Sequence, residues 1–252
     1  MDYKKLLDAV LSIGSEMLIC GAEVNRVEDT LTRICNAYNV SEVNVFTITS
    51  SIVITIRVND DIFTQTKRIR SYETNLDKVD KLNTLSRKIC RDKPSLPYIL
   101  NNLNLIKNGK VYPHFVLCGA YGVIAFSLTV YFGGGFSDGI TSGILGMLMY
   151  IIILKFNSIS ANTILLTMLT AFIIGTLAVL SLPIGLGKDL DNIVIGNIML
   201  MIPGVVITNS IRDMINGDTM SGLLRFTEGI IKAVAVALGF VLATVYLGGL
   251  IL

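Results

Sequence analysis

The sequence predicts an α-helical integral membrane protein with about five transmembrane helices and an N-terminal α+β cytoplasmic domain. Hydrophobic side chains make up 52% of the 252 residues, and the mean hydropathy is +0.65. Only 16% of the residues are charged, whereas soluble domains have about 25%. Residues 1–110 hold 16 of the 21 Lys and Arg and 13 of the 19 Asp and Glu. We therefore predict a cytoplasmic domain at 1–110 and a transmembrane helical domain at 111–252.

Apolar residues at helical spacing predict two helices at the start of the cytoplasmic domain, with Gly21 between them. The two runs are Leu6, Val10, Ile13 and Met17, then Val24, Val27, Leu31 and Ile34. A polar helix is predicted over 75–91. Two prolines follow it, and a short amphipathic segment over 98–106 is expected to lie along the membrane surface.

Between these helices, the chain predicts three strands. Polar and apolar residues alternate over 43–49 and again over 52–58, which is the period of a half-buried strand. The polar residues at 49–51 and 59–61 stand where hairpin turns would be. The cytoplasmic domain is therefore expected to have the order α-α-β-β-β-α.

The stretches without charged residues after Lys110 define the predicted transmembrane helices, since a helix needs about 20 mostly apolar residues to cross the hydrocarbon. Pairs of small residues four apart are expected to let these helices pack closely; they are Gly139 and Gly143, Ala233 and Ala237, and Ala235 and Gly239. The predicted spans lie near 115–133, 138–155, 162–182, 192–210 and 229–251.

Lysine and arginine in the short loops predict the orientation, because they mark the cytoplasmic side. The first loop has neither residue, whereas the second and fourth contain Lys155, Arg212 and Arg225. Lys188 in the third loop is the exception. We expect a multi-pass protein of the plasma membrane with its N-terminal domain in the cytoplasm and its C-terminus outside.

The densest charged patch of the cytoplasmic domain begins at Gly21 and contains Glu23, Arg26 and Glu28. A solvated helix face with ion pairs at helical spacing explains such a patch. A functional motif of the cytoplasmic domain is the alternative.

The sequence lacks the motifs of several functional classes. The four cysteines form no CxxC pair and the chain has one histidine, so the spacing of a metal site is absent. His114 lies far along the chain from the serines that a catalytic triad would need, and no P-loop is present. The net charge of +2 and the lack of a basic stripe argue against nucleic acid. We predict no catalytic residues, no metal, no cofactor and no nucleic-acid partner.

A proline interrupts the fourth predicted span. Within a helix it removes one hydrogen bond and frees the carbonyl four residues earlier, here that of Met199. Broken helices form substrate sites in many transporters, and a structural kink is the alternative. On the first view, replacing the proline with alanine should stabilise the protein and lower transport. The predicted substrate-binding or transport residues are Asn197, Pro203, Gly204, Asn209, Arg212, Asp213, Glu228 and Lys232.

Two segments resemble the threonine/serine exporter family (ThrE/YjjP-like). They are GAEVNRVEDTLTRICNAYNV at 21–40 and MIPGVVITNSIRDMINGDTMSGLLRFTEG at 201–229. The resemblance covers most of the chain and implies a cytoplasmic N-terminal domain followed by five membrane helices. Because the chain ends after the fifth, it looks like the larger subunit of the split form, whose short second membrane subunit is encoded separately. Members of the family are described as exporting threonine and serine, or succinate in the split system.

The resemblance implies a membrane transporter subunit that exports small carboxylate-bearing metabolites, such as threonine, serine or succinate. We expect it to be driven by an ion gradient, to work in the lipid bilayer with a second small membrane subunit, and to oligomerise. Arg212 is the predicted partner of the substrate carboxylate, because guanidinium can donate two hydrogen bonds to it; Lys232 is the second choice. Asp213 or Glu228 could carry a coupling proton. A membrane-anchored sensor or scaffold and a membrane-bound hydrolase are the alternatives.

Overall fold

The structure is a computed structural model, and it describes residues 2–109, 112–156 and 162–248. Backbone contacts divide the chain into two compact units. The head unit comprises Met1–Lys110 together with Gly204–Thr227, and the bundle unit comprises Val111–Pro203 together with Glu228–Leu252. A segment from the predicted membrane half therefore groups with the N-terminal domain. The assignment of 1–110 to the cytoplasm and of 111–252 to the membrane stays a prediction.

Four helices of the N-terminal domain follow the apolar spacing of the sequence. Asp2 accepts a hydrogen bond from the Lys5 N–H at 3.2 Å, and Asn75 accepts one from the Lys78 N–H at 3.0 Å. These side chains cap the first and third helices, whose initial N–H groups have no partner within the helix. The helices are α1 (Tyr3–Ile19), α2 (Val24–Ala37), α3 (Leu76–Asp92) and α4 (Leu96–Lys107).

The three predicted strands are confirmed and form one antiparallel sheet in the order β1-β2-β3. Two-residue turns join them, with Ile48 paired to Ser51 and Val58 paired to Asp61. Asn59 in the second turn has a φ of 54°, which Asn tolerates better than most residues. The strands are β1 (Glu42–Ile48), β2 (Ser51–Val58) and β3 (Asp61–Arg68).

One apolar cluster joins the sheet to the N-terminal helices. It contains Leu6 of α1, Leu31 of α2 and Ile54 of β2, all fully buried. The amphipathic segment is the helix α4, which adds Ile99 and Leu103 to the same cluster. Its apolar face is therefore occupied by the head core, and contact with a membrane surface stays a prediction for its remaining faces.

Four helices are long and apolar enough to cross a membrane, as predicted for the first, second, third and fifth spans. The last of them starts at Thr219, ten residues before the predicted 229, because the helix continues through the polar residues between 219 and 228. The predicted loop residues 157–161 and the span end at 249–251 lie outside the described residues. The helices are α5 (His114–Tyr131), α6 (Phe136–Phe156), α7 (Thr163–Ser181) and α10 (Thr219–Ala243), the last continued by a π-helical turn (Thr244–Gly248).

The predicted fourth span is two helices, α8 (Leu190–Met201) and α9 (Gly204–Ile215), bent by 53° at the break. Ile202 has an extended conformation, with φ −66° and ψ 126°, as expected of a residue before proline. Twelve residues make a helix of about 18 Å, whereas the hydrocarbon is about 30 Å thick. The described chain has four candidate spans, or five if the bent pair is one span.

Small residues pack the helices of the bundle unit closely, as predicted for two of the three pairs. A Cβ atom on Gly143 would lie 3.2 Å from the Gly122 carbonyl oxygen, where α6 meets α5. A Cβ atom on Gly239 would lie 2.5 Å from the Met168 carbonyl oxygen, where α10 meets α7. The third pair differs, because Ala237 is exposed in the described chain.

Candidate functional site

The turn between α1 and α2 supplies the backbone groups that the other residues of the candidate site bind. Gly21 has a φ of +92°, a conformation that glycine adopts without a steric penalty. The Ala22 N–H donates to the Met17 carbonyl at 2.9 Å, which closes α1 in the manner of a Schellman motif. The turn then leaves the Gly21 and Ala22 carbonyls and the Val24 N–H available to side chains outside it.

Helix α9 supplies two of these side chains within the head unit. The Asn209 side-chain amide donates to the Gly21 carbonyl at 3.1 Å, and Asp213 Oδ1 accepts from the Val24 N–H at 3.1 Å. Val24 is the first residue of α2, so its N–H lacks a partner within the helix and the N-terminus favours a negative charge. Asp213 therefore satisfies both requirements.

Arg225 of α10 completes this set of contacts. Its Nη1 donates to the Ala22 carbonyl at 3.0 Å and pairs with Asp213 Oδ2 at 3.1 Å. Asp213 is fully buried and Arg225 is only 6% exposed. The two charges compensate each other away from water, which makes this pair the buried anchor between the turn and the segment Gly204–Thr227.

A half-open cavity of about 580 Å³ lies beside the anchor. Arg212 forms an ion pair with Glu23 there, and its side chain keeps 54% exposure whereas that of Glu23 keeps 14%. Arg26 and Asn209 also line the cavity, so that it presents two guanidinium groups, one carboxylate and one amide. Its other lining residues are Gly21, Ala22, Leu76, Val79, Gly204, Val205 and Thr208.

Two further carboxyl groups of the head unit are partly or wholly withdrawn from water. Burial raises the pKa of Glu28, and the charge of Asp218 adds to this, whereas a hydrogen bond from the Thr47 N–H at 2.6 Å opposes it. Burial also raises the pKa of Asp218. Among the described residues, no hydrogen-bond partner reaches the buried Oδ2 of Asp218.

The structure brings together the predicted site residues of two distant segments. Gly21, Glu23 and Arg26 from the charged patch share the 580 Å³ cavity with Gly204, Asn209 and Arg212, and Asp213 belongs to the adjoining anchor. Glu23 pairs with Arg212 instead of Arg26, whereas Asp29 and Arg33 form the helical ion pair that their spacing predicts. Glu28 binds the end of β1 instead.

Four other predicted residues belong to the bundle unit. Asn197 is fully buried and donates to Ser142 Oγ at 2.8 Å and to the Ile193 carbonyl at 2.9 Å. Its Oδ1 has no hydrogen-bond partner in the described part of the chain. Pro203 follows the end of α8. Glu228 and Lys232 make no ion pair with each other, although their spacing suits one.

Three groups that make buried polar contacts were not predicted from the sequence, two in the candidate site and one in the bundle unit. The Lys and Arg distribution predicts a cytoplasmic loop for Arg225, and the backbone of Ala22 has no side-chain signal at all. Asp138 of the bundle unit is 3% exposed and accepts hydrogen bonds from the N–H groups of Gly135, Lys188 and Asp189, tying two loops together. Its position as the charge that separates two apolar stretches could have drawn attention to it. No three His, Cys, Asp or Glu side chains among the described residues are grouped to hold a metal ion.

The model of one protein family matches residues 8–247 of the chain. That family is described as "Putative threonine/serine exporter" (ThrE). The chain belongs to this family. No curated protein and no solved structure matches it. Membership of the ThrE family, together with four or five apolar helices of sufficient length, makes the chain a membrane transport protein.

Proposed function

We propose that this ThrE-family chain is a subunit of a secondary transporter that exports a small carboxylate-bearing metabolite, driven by an ion gradient. Its N-terminal domain lies in the cytoplasm and its C-terminus outside, on the evidence of the Lys and Arg distribution in the loops. The observation that carries the proposal is the cavity that Arg212 lines in the head unit.

The cavity has the properties of a site for a small carboxylate. Its volume of about 580 Å³ falls within the range of about 300–1,000 Å³ for ligand pockets. Arg212 has an accessible guanidinium, which can donate two parallel hydrogen bonds to a carboxylate. Arg26 provides a second guanidinium in the same lining.

Glu23 favours an amino acid over a dicarboxylate. The α-ammonium group of threonine or serine can pair with the Glu23 carboxylate while the substrate carboxylate binds Arg212. A dicarboxylate such as succinate would instead bring a second negative charge towards Glu23, and like charges repel each other in a partly desolvated site. Threonine and serine are therefore the preferred substrates of the proposed site.

Glu228 is the better of the two proposed carriers of a coupling proton. Both carboxylate oxygens of Asp213 are engaged by Val24 and Arg225, which suits a structural role. Glu228 is exposed, and it has no ion pair with any residue that the structure describes. Ionisable groups in membrane segments are often part of proton or ion pathways.

A second membrane subunit is part of the proposal. The face of α10 around Ala237 remains uncovered, although small residues four apart are typical of close helix contacts in membranes. The exposed Val234, Leu238 and Val241 lie beside it. If another helix packs here, Ala237→Phe should reduce co-purification of that subunit, whereas Leu238→Phe, which adds bulk to a large exposed residue, should do so less.

Efflux of preloaded labelled threonine, serine and succinate from cells that express the full chain tests the transport proposal. Arg212→Lys keeps the positive charge and loses the planar fork of guanidinium. Loss of one hydrogen bond to a charged group costs about 1.5–3 kcal/mol, so the apparent substrate affinity should fall about tenfold or more.

Arg70→Lys is the matched control, because Arg70 is an exposed arginine of the same domain that does not line the cavity. It should leave efflux unchanged. Glu23→Gln should lower threonine efflux more than succinate efflux. Parental efflux of all three solutes by Arg212→Lys and Glu23→Gln would show that the site lies elsewhere.

A further inference from the structure

A second cavity, of about 550 Å³, lies between α2 and α3 in the head unit. Helical spacing places its lining residues on two facing helix surfaces, because the contributing positions on each helix are three or four residues apart. Arginine is the commonest residue of the lining, which consists of Arg26, Asp29, Thr30, Arg33, Asn83, Ser86, Arg87, Cys90 and Arg91.

The charges of this arginine cavity are not balanced. Its lining contains four guanidinium groups and one carboxylate, that of Asp29. Arg33 Nε binds both oxygens of Asp29, at 2.8 and 2.7 Å, so this pair is neutral. Arg26 and Arg87 have no ion-pair partner among the residues that the structure describes. Arg91 pairs with Asp92, Nε to Oδ1 at 2.7 Å. The excess positive charge of the cavity is therefore that of Arg26 and Arg87.

Two hydroxyl groups lie at the less exposed part of the lining. Thr30 and Ser86 are 8% and 7% exposed, and each belongs to one of the two helices. Ser86 Oγ donates to the Asn83 carbonyl at 2.8 Å. The Thr30 hydroxyl forms no hydrogen bond with another residue of the described chain. A donor thus remains available beneath the arginines.

We propose that the arginine cavity binds a small anion that carries phosphate groups. Guanidinium matches the geometry of phosphate oxygens through pairs of parallel hydrogen bonds. The available hydroxyl supplies a further donor, and the volume suits a small molecule. An anion with several negative charges fits the uncompensated arginines better than a single carboxylate does. This ligand is distinct from the proposed transport substrate.

Arg26 gives the bound anion a means of regulating transport, because it lines both cavities of the head unit. A phosphate group that binds Arg26 holds this guanidinium in the arginine cavity. The 580 Å³ cavity beside the anchor then retains only the guanidinium of Arg212, which is paired with Glu23. Phosphate binding should therefore weaken substrate binding in the 580 Å³ cavity.

Isothermal titration of the detergent-solubilised full chain tests the binding site directly, without a transport assay. The probes are inorganic pyrophosphate, for a free anion, and water-soluble dihexanoyl phosphatidic acid, for a lipid headgroup. Dihexanoyl phosphatidylcholine provides the lipid control. Arg87→Gln removes an unpaired guanidinium, and affinity should fall about tenfold or more. Arg70→Gln makes the same change at an exposed arginine outside the cavity and should retain parental affinity.

Each outcome of the titration decides for or against the site. Binding of pyrophosphate that depends on Arg87 supports a free phosphate ligand. Binding of phosphatidic acid alone, with the same dependence, supports a lipid headgroup. Equal loss of affinity in Arg87→Gln and Arg70→Gln would mean that only overall charge matters and would overturn the proposal. The absence of saturable binding by either phosphate probe would overturn it as well. Failure of the transport experiment would leave these results unaffected.

Discussion

At the scale of single residues, the pair of Asp213 and Arg225 illustrates how a buried charge is stabilised. Removing a charge from water costs several kcal/mol, which only good geometry and additional hydrogen bonds offset. Here the Val24 N–H and the Ala22 carbonyl provide those hydrogen bonds. The backbone of one turn thus determines which side chains of a distant segment can be buried beside it.

Removing one partner of this pair should be strongly destabilising. In Arg225→Leu the carboxylate of Asp213 would stay buried without its counterion, and the expected cost is about 3–5 kcal/mol. Thermal unfolding of the full chain in detergent measures the change. The double variant Asp213→Leu with Arg225→Leu should lose less stability than Arg225→Leu alone.

The exposed pair of Asp29 and Arg33 provides the control for this measurement. Its side chains are 54% and 72% exposed, and surface pairs contribute about 0–1 kcal/mol. Arg33→Gln should therefore change stability little. Similar losses in Arg33→Gln and Arg225→Leu would contradict the anchoring role of the buried pair.

Glu28 should make the stability of the chain depend on pH. Burial raises its folded-state pKa above the usual 4.5, so folding favours the protonated carboxyl. Its contribution to stability is complete below pH 4.5 and is lost as the pH rises through the raised pKa. Glu28→Gln stays neutral and keeps an oxygen for the Thr47 N–H. It should be more stable than the parent near neutral pH, with the difference shrinking as the pH falls.

Unfolding curves of the parent and Glu28→Gln over a pH series check this expectation. Glu42→Gln, at an exposed carboxylate of the strand that Glu28 contacts, is the matched control. Its stability relative to the parent should depend less on pH. Glu28→Ala removes the acceptor for Thr47 and should cost about 1–3 kcal/mol. A glutamine variant that is less stable than the parent at neutral pH would show that the ionised hydrogen bond outweighs burial.

At the scale of elements, the break before α9 is a complete helix end and not a kink. Alanine at position 203 would supply the N–H that proline lacks, and proline costs about 3 kcal/mol in a helix interior. The hydrogen bonds of Asn209 and Asp213 hold α9 to the turn before α2 within the head unit. The break and these contacts can therefore be tested separately.

Pro203→Ala should be at least as stable as the parent, because the added N–H removes the cost of proline. If the break serves transport, efflux should fall nevertheless. Thermal unfolding in detergent and threonine efflux of the parent and the variant measure the two effects. A loss of stability and efflux together would support a purely structural bend, and parental efflux would contradict a role of the break in transport.

At the scale of the whole molecule, the head unit is built from two separate parts of the chain. Residues 111–203 lie between these parts in sequence and belong to the bundle unit. Deleting 1–108 would consequently remove the backbone groups of the turn that Asn209, Asp213 and Arg225 bind. Point substitutions test the role of the N-terminal domain more cleanly than truncation does.

The orientation in the membrane can be tested by cysteine labelling. An impermeant thiol reagent added outside should label cysteine introduced at Ser137, whereas cysteine at Asn216 should react only after permeabilisation. Cys90 and Cys118 are replaced by serine beforehand. Burial raises the pKa of Cys20 to about 11 and that of Cys35 to about 12, so both thiols should react slowly. The reverse labelling pattern would invert the proposed orientation.

The sequence by itself determined the elements of this protein. Helical and alternating spacing predicted α1, α2 and the strands, because the period of buried residues follows from backbone geometry. Apolar length predicted five spans, four of which are single long helices in the structure. Pro203 predicted the break after α8, because proline lacks the N–H that a helix interior needs. These features depend on neighbours within a few residues, which a single sequence displays.

Only the tertiary structure decided which distant residues meet. Asp213 and Val24 are 189 residues apart, and neither spacing nor composition indicates that a carboxylate will bind that backbone N–H. The sequence does not indicate the ion pair between Arg212 and Glu23 either, because Arg26 lies only three residues from Glu23, at a spacing that suits a helical ion pair. The sequence predicts a loop position for Arg225, because sequence alone does not show that a charged side chain is buried. Pairing of this kind depends on how the folded units bring backbone groups and charges together, and so the candidate site became visible only in three dimensions.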